Sequence, residues 1–215
     1  MHIMDKLSYL IQELKREGIK DKNVLNALLK IKRELFIPEK LKDLAYENYP
    51  LDIGNNQTIS QPYTTAFMLQ LLELKKGDKV LEIGTGSGWS TALTAQIINP
   101  GKIYSIESIE DLSKFAKENI KKVKLKNIKI ITGNGDKGLK EHSPYDKIIV
   151  NAACSKLPSI LMKQLKDKGI LLAPIGSLYG QKMIRLIKDK DKDKDKTEDF
   201  GDFVFVPLIS DEYGF

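Results

Sequence analysis

The stretch Val80–Ser90, VLEIGTGSGWS, decides how the chain is expected to fold. It begins with a short apolar segment, continues through Gly84, Gly86 and Gly88, and enters a helical pattern at Trp89. Glycine lacks a Cβ atom, so it permits a tight turn and lets the backbone approach a ligand closely. The stretch therefore predicts a buried strand, a ligand-binding turn and a helix in immediate succession.

Two phosphate-binding motifs share features with this turn, but neither matches it. A P-loop places Lys-Ser/Thr directly after its last glycine, whereas Trp89 and Ser90 follow Gly88. A dinucleotide-binding fingerprint requires glycine where strand and helix pack closely, and here that position is also Trp89. The pattern therefore disfavours binding of a pyrophosphate group.

The rest of the C-terminal two thirds alternates short apolar segments with amphipathic ones. Such alternation is typical of a parallel sheet with helices on both faces. We therefore expect an α/β fold: a Rossmann-like, doubly wound, mostly parallel sheet with an antiparallel C-terminal strand and an N-terminal helical cap. The predicted strands are KVLEIG, KIYSIES, NIKIITG, YDKIIVNAA and KGILLAPIG, followed by a terminal pair, MIRLIKD and FVFVPL, joined by the Lys/Asp run 188–196.

The N-terminal part predicts helices and then a loop. An apolar stripe at helical spacing predicts a first helix over 4–16, and Asp21 is suited to cap a second. Residues 47–61 are predicted as loop, and Pro62 fits the first turn of the next helix. We expect a single domain over 1–215, comprising a helical cap (1–45), an active-site loop and helix (46–76) and a Rossmann-like core (77–215).

Composition narrows the function classes. The 215 residues carry a net charge of +6, but only three of the 35 basic residues are Arg, which disfavours a nucleic-acid reader. No apolar run approaches 18 residues, so no membrane span is expected. The lone Cys154, expected to be a small buried residue, suits a reducing cytoplasm. His2 and His142 show no metal-ligand spacing, so no metal is expected.

Glu107 ends the second predicted strand, 23 residues after Gly84. A carboxylate offers two acceptors, which match the two donor hydroxyls of a ribose. The spacing is close to that of the acidic residue that ends the second strand of nucleotide-binding sheets. Glu107 is therefore a candidate ligand for a ribose, against the alternative of an ordinary glutamate at a strand end.

The glycine turn resembles motif I of the Rossmann-like methyltransferases that use S-adenosyl-L-methionine. The resemblance implies that Gly84, Thr85, Gly86 and Gly88 hold the donor, and that Glu82 lies beside its positively charged amino and sulfonium groups. In the loop ITGNGDKG, it implies adenine contacts from Asn134 and Gly135, although the family usually has Asp at position 134. Asp136, two residues later, is the alternative contact.

A second resemblance covers most of the chain, from about Arg33 to Pro207. The blocks RELFIP, IGNNQTISQPY, LEIGTGSGWSTA and APIG closely resemble the protein-L-isoaspartate O-methyltransferase family. The resemblance implies methyl transfer to the free α-carboxylate of L-isoaspartyl residues in damaged proteins and peptides, and repair through a succinimide. It makes Ser60 the expected active-site residue.

The residue content agrees with this chemistry. A carboxylate with a pKa of about 3.5 is ionised at neutral pH, so it needs no general base, and the sequence offers no obvious catalytic dyad. We expect Ser60 to orient the carboxylate, Gln57 and Thr58 to shape the pocket, and Tyr63 to line its opening. Ser60 is also suited to cap the helix that starts at Pro62.

Two other functions remain open from sequence. One is a related methyltransferase acting on RNA or a small molecule, although the block TIS-x-P and the absence of an NPPY or Cys-nucleophile motif disfavour it. The other is a catalytically inactive protein that binds the donor and recognises damaged peptides.

Overall fold

The computed structural model describes residues 3–192, 194–210 and 212–214, with side chains from residue 6 onward. His2 and Asp193 lie outside the described residues. The helices are α1 (Ile3–Arg16), α2 (Lys22–Lys30), α3 (Pro62–Leu71), α4 (Trp89–Ile98), α5 (Glu110–Lys122) and α6 (Ser159–Lys163), and short 3-10 helices cover Arg33–Phe36, Glu39–Leu44 and Lys140–His142. The strands are β1 (Leu51–Gly54), β2 (Gln57–Ile59), β3 (Lys79–Ile83), β4 (Lys102–Glu107), β5 (Ile128–Thr132), β6 (Tyr145–Val150), β7 (Leu165–Ser177), β8 (Gly180–Ile187) and β9 (Lys196–Phe203).

A seven-stranded sheet with the order β5-β4-β3-β6-β7-β8-β9 forms the centre of the molecule. Strands β3 to β7 run parallel to their neighbours, whereas β8 and β9 are antiparallel. The chain passes from β3 outward to β5 and then returns to pair β6 on the other side of β3. This reversal creates a crevice at the carboxyl ends of β3 and β6, where open α/β sheets bind ligands. The expected fold class is confirmed.

The sheet is buried on both faces. Val80, Leu81 and Ile83 of β3 are at most 2% exposed, as expected for a central parallel strand. Helix α4 is buried along most of its length, because α2 packs on the side that faces away from the sheet. Apolar side chains of α1 and α2 join the same hydrophobic core as β3 and α4. The N-terminal helices are therefore held to the sheet by shared burial of apolar area.

The sequence predicted a loop over residues 47–61, but the structure has two short strands there. Strands β1 and β2 form an antiparallel hairpin in this region. Its turn residues, Asn55 and Asn56, both have a φ of 56°, and the tightest hairpin turns require positive φ at two successive residues. Asparagine tolerates this conformation better than most residues do. The hairpin directs Ile53 and Ile59 into the core.

The C-terminal strand pair also differs from expectation. Strand β8 pairs with residues 196–203, so only Phe203 of the segment FVFVPL belongs to a strand. The ion pair between Arg185 and Glu198, at 2.6 Å, joins the two strands in this register. The following residues leave β8 and bond to the chain after β6, where Ala153 donates to the Val206 carbonyl at 2.8 Å.

Three local expectations have clear outcomes. Asp21 caps α2 by accepting hydrogen bonds from two main-chain N–H groups, as expected. Ser60 does not cap α3, because the capping position is Gln61 and no side chain bonds there. Cys154 is fully buried, as expected, and burial raises the pKa of its thiol to about 12. Its thiolate is therefore scarce at neutral pH.

In the described part of the chain, no cluster of three or more His, Cys, Asp or Glu side chains has the geometry to hold a metal ion. None of the helices described combines the length and apolar character that crossing a lipid bilayer demands.

Candidate active site

A cavity opens at the carboxyl ends of β3, β4 and β6. Its floor contains the glycine turn after β3, and one wall is formed by the end of β4 and the start of α5. The end of the β1–β2 hairpin, α3 and the segment Val206–Ile209 contribute further lining residues. Residues from both ends of the chain therefore enclose one space.

The glycine turn has the backbone conformation that its sequence predicts. Gly84, Gly86 and Gly88 have φ values of 87°, 56° and 90°, which L-residues with side chains rarely adopt. Gly84, Thr85 and Gly86 line the cavity, whereas Gly88 does not. Gly88 lies below the turn as the N-cap of α4, where an added Cβ would be 3.4 Å from the Cβ of Ala116.

Two main-chain N–H groups fix the side chain of Glu107 at the cavity. It is 5% exposed and lines the wall. One carboxylate oxygen accepts the N–H of Gly86 at 2.8 Å, and the other accepts the N–H of Ile109 at 3.0 Å. Each oxygen keeps a further lone pair. Glu107 can therefore accept two more hydrogen bonds, as a ribose diol requires.

Glu82 does not lie where the sequence analysis expected it, because it is fully buried and does not line the cavity. It projects from the face of β3 that α4 covers, and it accepts hydrogen bonds from the hydroxyls of Thr91 and Ser105. Its other oxygen accepts the side-chain amide of Asn151 at 2.9 Å, and that amide also donates to the Gly84 carbonyl at 3.0 Å. Glu82 therefore supports the turn through Asn151, which does line the cavity.

Burial raises the pKa of Glu82 above its ordinary value of 4.5, against the opposing effect of its hydrogen-bond donors. A carboxyl whose pKa is raised on folding stabilises the fold fully below its unfolded pKa, and this contribution is lost as pH rises through its folded pKa. We therefore expect the unfolding free energy of wild type, minus that of Glu82→Gln, to decrease as pH rises from 4.5. Urea unfolding of both proteins at a series of pH values measures this difference in unfolding free energy. A difference that does not change with pH would contradict the expectation.

The side of the cavity expected to hold adenine is mostly apolar. Gly135 lines it, together with Ile106, Ile109 and Leu112. Asn134 does not line it, because its side chain turns back to Asp136, accepting the main-chain N–H at 2.8 Å and donating to the carboxylate at 3.2 Å. Asp136 is also absent from the wall. The contribution of Ile109 and Leu112 escaped sequence analysis, since apolar residues at the start of α5 resemble ordinary core positions.

The side expected to hold the acceptor carries Gln57, Thr58 and Ser60, all of which line the cavity. Tyr63 does not line it and instead stacks on Phe67, with 5.6 Å between ring centroids. Sequence analysis missed further wall residues from α3 and from the chain after β9. These are Thr65, Met68, Val206, Pro207, Leu208 and Ile209.

The cavity fits an adenosyl group joined to an amino acid. Glu107 supplies fixed acceptors for a diol, and the glycine turn presents backbone without side chains. The apolar wall suits a flat heteroaromatic ring. The Ser87 hydroxyl, buried at the cavity, forms no hydrogen bond with any described residue, so it is available to a polar ligand.

Comparison with known proteins identifies the family. The family model Protein-L-isoaspartate(D-aspartate) O-methyltransferase (PCMT) matches residues 5–213. Protein-L-isoaspartate O-methyltransferases from Dictyoglomus turgidum and Ignicoccus hospitalis are 46% and 44% identical over 97% of this chain, covering 93% and 99% of their own lengths. The Plasmodium falciparum structure of such a protein, in complex with S-adenosyl-L-homocysteine, superposes with a TM-score of 0.82 at 32% identity, covering 93% of this chain and 96% of that one. The chain therefore belongs to the protein-L-isoaspartate(D-aspartate) O-methyltransferase family.

Proposed function

We infer that the protein transfers a methyl group from S-adenosyl-L-methionine to the free α-carboxylate of L-isoaspartyl residues in damaged proteins and peptides. One observation carries this inference: a single cavity is lined by the glycine turn, by Glu107 and by Ser60, which directly follows β2. Membership of the family supports both the donor and the acceptor. The alternative acceptors, an RNA or a small molecule, have no comparable support.

The donor supplies an electrophilic methyl group on a positively charged sulfur. In our proposal, Glu107 binds its ribose, and the main chain of Gly84–Gly86 contacts its amino-acid part. Gly135, Ile109 and Leu112 enclose its adenine. Because these groups are held by the sheet and by main-chain hydrogen bonds, little reorganisation is needed when the donor binds.

Ser60 donates a hydrogen bond to the acceptor carboxylate in this proposal, while Gln57 and Thr58 complete its pocket. An α-carboxyl group has an ordinary pKa of about 3.5, so the acceptor is already ionised at neutral pH and no residue has to remove a proton. Catalysis then depends on alignment of the nucleophile and on exclusion of water by the apolar residues Met68 and Val206. The product ester closes to a succinimide, with loss of methanol, and water reopens the ring partly to normal aspartate.

Replacing Ser60 with alanine is expected to lower kcat toward an isoaspartyl peptide by about 10- to 100-fold, because a hydrogen bond to a charged group contributes about 1.5–3 kcal/mol. The affinity for S-adenosyl-L-homocysteine should stay within about twofold of wild type, since Ser60 is assigned to the acceptor and not to the donor. Steady-state kinetics and calorimetry measure the two quantities. Ser60→Thr, which keeps the hydroxyl, should retain more activity, and an unimpaired Ser60→Ala enzyme would remove the proposed role.

The function itself is tested with methyl-labelled donor and a matched pair of peptides that differ only in isoaspartyl or aspartyl linkage. Base-labile label in the isoaspartyl peptide alone supports the proposal. Label in added RNA would support a related methyltransferase that acts on RNA. Donor binding without transfer to any acceptor would support a catalytically inactive binding protein.

We also propose a cytoplasmic location, in keeping with a single, buried cysteine.

A further inference from the structure

We propose that Arg33 is a positioning residue for the methyl transfer: it sets the place of Ser60 relative to the donor side of the cavity by binding the main chain behind Ser60 and stacking on Trp89. The proposal rests on the function inferred above, and it assigns no contact between Arg33 and the substrate. Arg33 begins the block RELFIP, which contributes to the family resemblance, but that resemblance assigns this arginine no role.

Arg33 lies in a 3-10 turn after α2 and is 1% exposed. Every hydrogen bond that its guanidinium makes with the described residues goes to a main-chain carbonyl oxygen. One terminal nitrogen donates to Ala45 (3.0 Å) and Glu47 (3.3 Å), and the other donates to Tyr49 (3.2 Å), Ile59 (3.5 Å) and Ser60 (3.0 Å). One side chain therefore ties the segment 45–49 to the end of the hairpin.

Arg33 also contacts Trp89, the first residue of α4 after the glycine turn. The guanidinium lies over the indole ring of Trp89, with its central carbon 5.2 Å from the ring centroid. Trp89 lines the cavity directly after the glycine turn, and its indole N–H donates to the carbonyl of Ile31, the C-cap residue of α2, at 3.4 Å. Arg33 is thus the direct link between Trp89 and the main chain of Ser60.

Burying a cation without a carboxylate partner costs free energy. Burial lowers the pKa of Arg33 to about 9, so the side chain still carries its charge at neutral pH. Five carbonyl dipoles offset this cost, while Nε has no partner among the described residues. A planar fork of donors can hold several carbonyls in one fixed geometry, which neither lysine nor an apolar residue can do. An apolar residue in place of Arg33 could not form these hydrogen bonds, so it would leave the end of the hairpin unfixed.

Arg185 provides a matched control within the same chain. Its guanidinium also lies over an aromatic ring, 5.1 Å from the centroid of Phe200, and it also donates to a main-chain carbonyl, that of Leu71, at 3.1 Å. It holds β8 to β9 through Glu198 and does not line the cavity. Arg185→Met should therefore lower stability without changing the chemistry of the site.

The experiment compares Arg33→Met, Arg33→Lys and Arg185→Met well below their melting temperatures. We expect Arg33→Met to lower kcat by about 10- to 100-fold while affinity for S-adenosyl-L-homocysteine stays within about threefold. Arg33→Lys should recover part of kcat, and Arg185→Met should keep it. An Arg33→Met enzyme with the kcat of wild type would overturn the proposal. If Arg33→Met does not fold, the test rests on Arg33→Lys. A kcat of Arg33→Lys equal to that of wild type would then overturn the proposal.

A double-mutant cycle distinguishes positioning of Ser60 from a general loss of order. If Arg33 acts through Ser60, Arg33→Met should lower kcat by less than about threefold in a Ser60→Ala background, whereas additive losses would overturn the proposal. Hydrogen exchange at the amides of 57–60 gives a readout that needs no activity. Faster exchange at these amides in Arg33→Met, but not in Arg185→Met, supports the proposal. This result would hold even if the acceptor proves to be another carboxylate. Unchanged exchange in Arg33→Met would overturn the proposal.

Discussion

Replacing Glu107 with alanine is expected to weaken binding of S-adenosyl-L-homocysteine by about 100-fold or more. The substitution removes the two acceptors that we assign to the ribose, each contributing about 1.5–3 kcal/mol as a charge-assisted hydrogen bond, and about 1.4 kcal/mol corresponds to tenfold in affinity. It also leaves the N–H groups of Gly86 and Ile109 without their acceptor. The glycine turn then loses its tie to the end of β4.

Calorimetric titration of the folded variants with S-adenosyl-L-homocysteine measures this effect. Glu107→Gln keeps one carbonyl oxygen but converts the other acceptor into a donor, so its loss of affinity should be intermediate. Glu110→Ala is the matched control, because Glu110 lies nearby at the start of α5 and its exposed carboxylate, among the described residues, pairs only with Lys114. An affinity for Glu107→Ala within about threefold of wild type would refute the assigned contact.

Replacing Gly135 with alanine is expected to lower the unfolding free energy by about 1–3 kcal/mol, as is typical of overpacking, and to weaken donor binding by at least about tenfold. A Cβ at this position would lie 2.5 Å from Cγ2 and 3.2 Å from Cδ1 of Ile83. Ile83 ends β3 and is 2% exposed, so the surrounding core limits its movement. The loop carrying Gly135 must therefore shift away from the cavity wall.

Chemical unfolding and the same calorimetric titration check both parts. Gly180→Ala is the matched control, since an added Cβ there meets no atom within 4 Å. Combining Gly135→Ala with Ile83→Ala removes the colliding methyl groups, so the double variant should be more stable than the sum of the single effects predicts. Additive destabilisation, or a Gly135→Ala variant as stable as wild type, would show that the loop is not held by this contact.

The parts of the molecule that sequence analysis predicted are those governed by local rules. Gly84, Gly86 and Gly88 have positive φ values, which residues with side chains rarely adopt, so glycines at these positions predict a tight turn. Glu107 could be placed because the carboxyl ends of neighbouring parallel strands meet at one edge of the sheet. The hairpin at 51–59 was missed because its strands are short and its turn contains Asn-Asn, a weaker signal than Asn-Gly.

The sequence by itself therefore determined the strand, the glycine turn and the acidic end of β4, since these depend on residues close together in the chain. Only the tertiary structure decided that Glu82 faces α4, that residues 206–209 close the cavity and that Arg33 lies between Trp89 and Ser60. Each of these depends on which face of a segment is covered by another far away in sequence. Burial and hydrogen bonding across the assembled core select that face, and no local pattern of residue types contains this information.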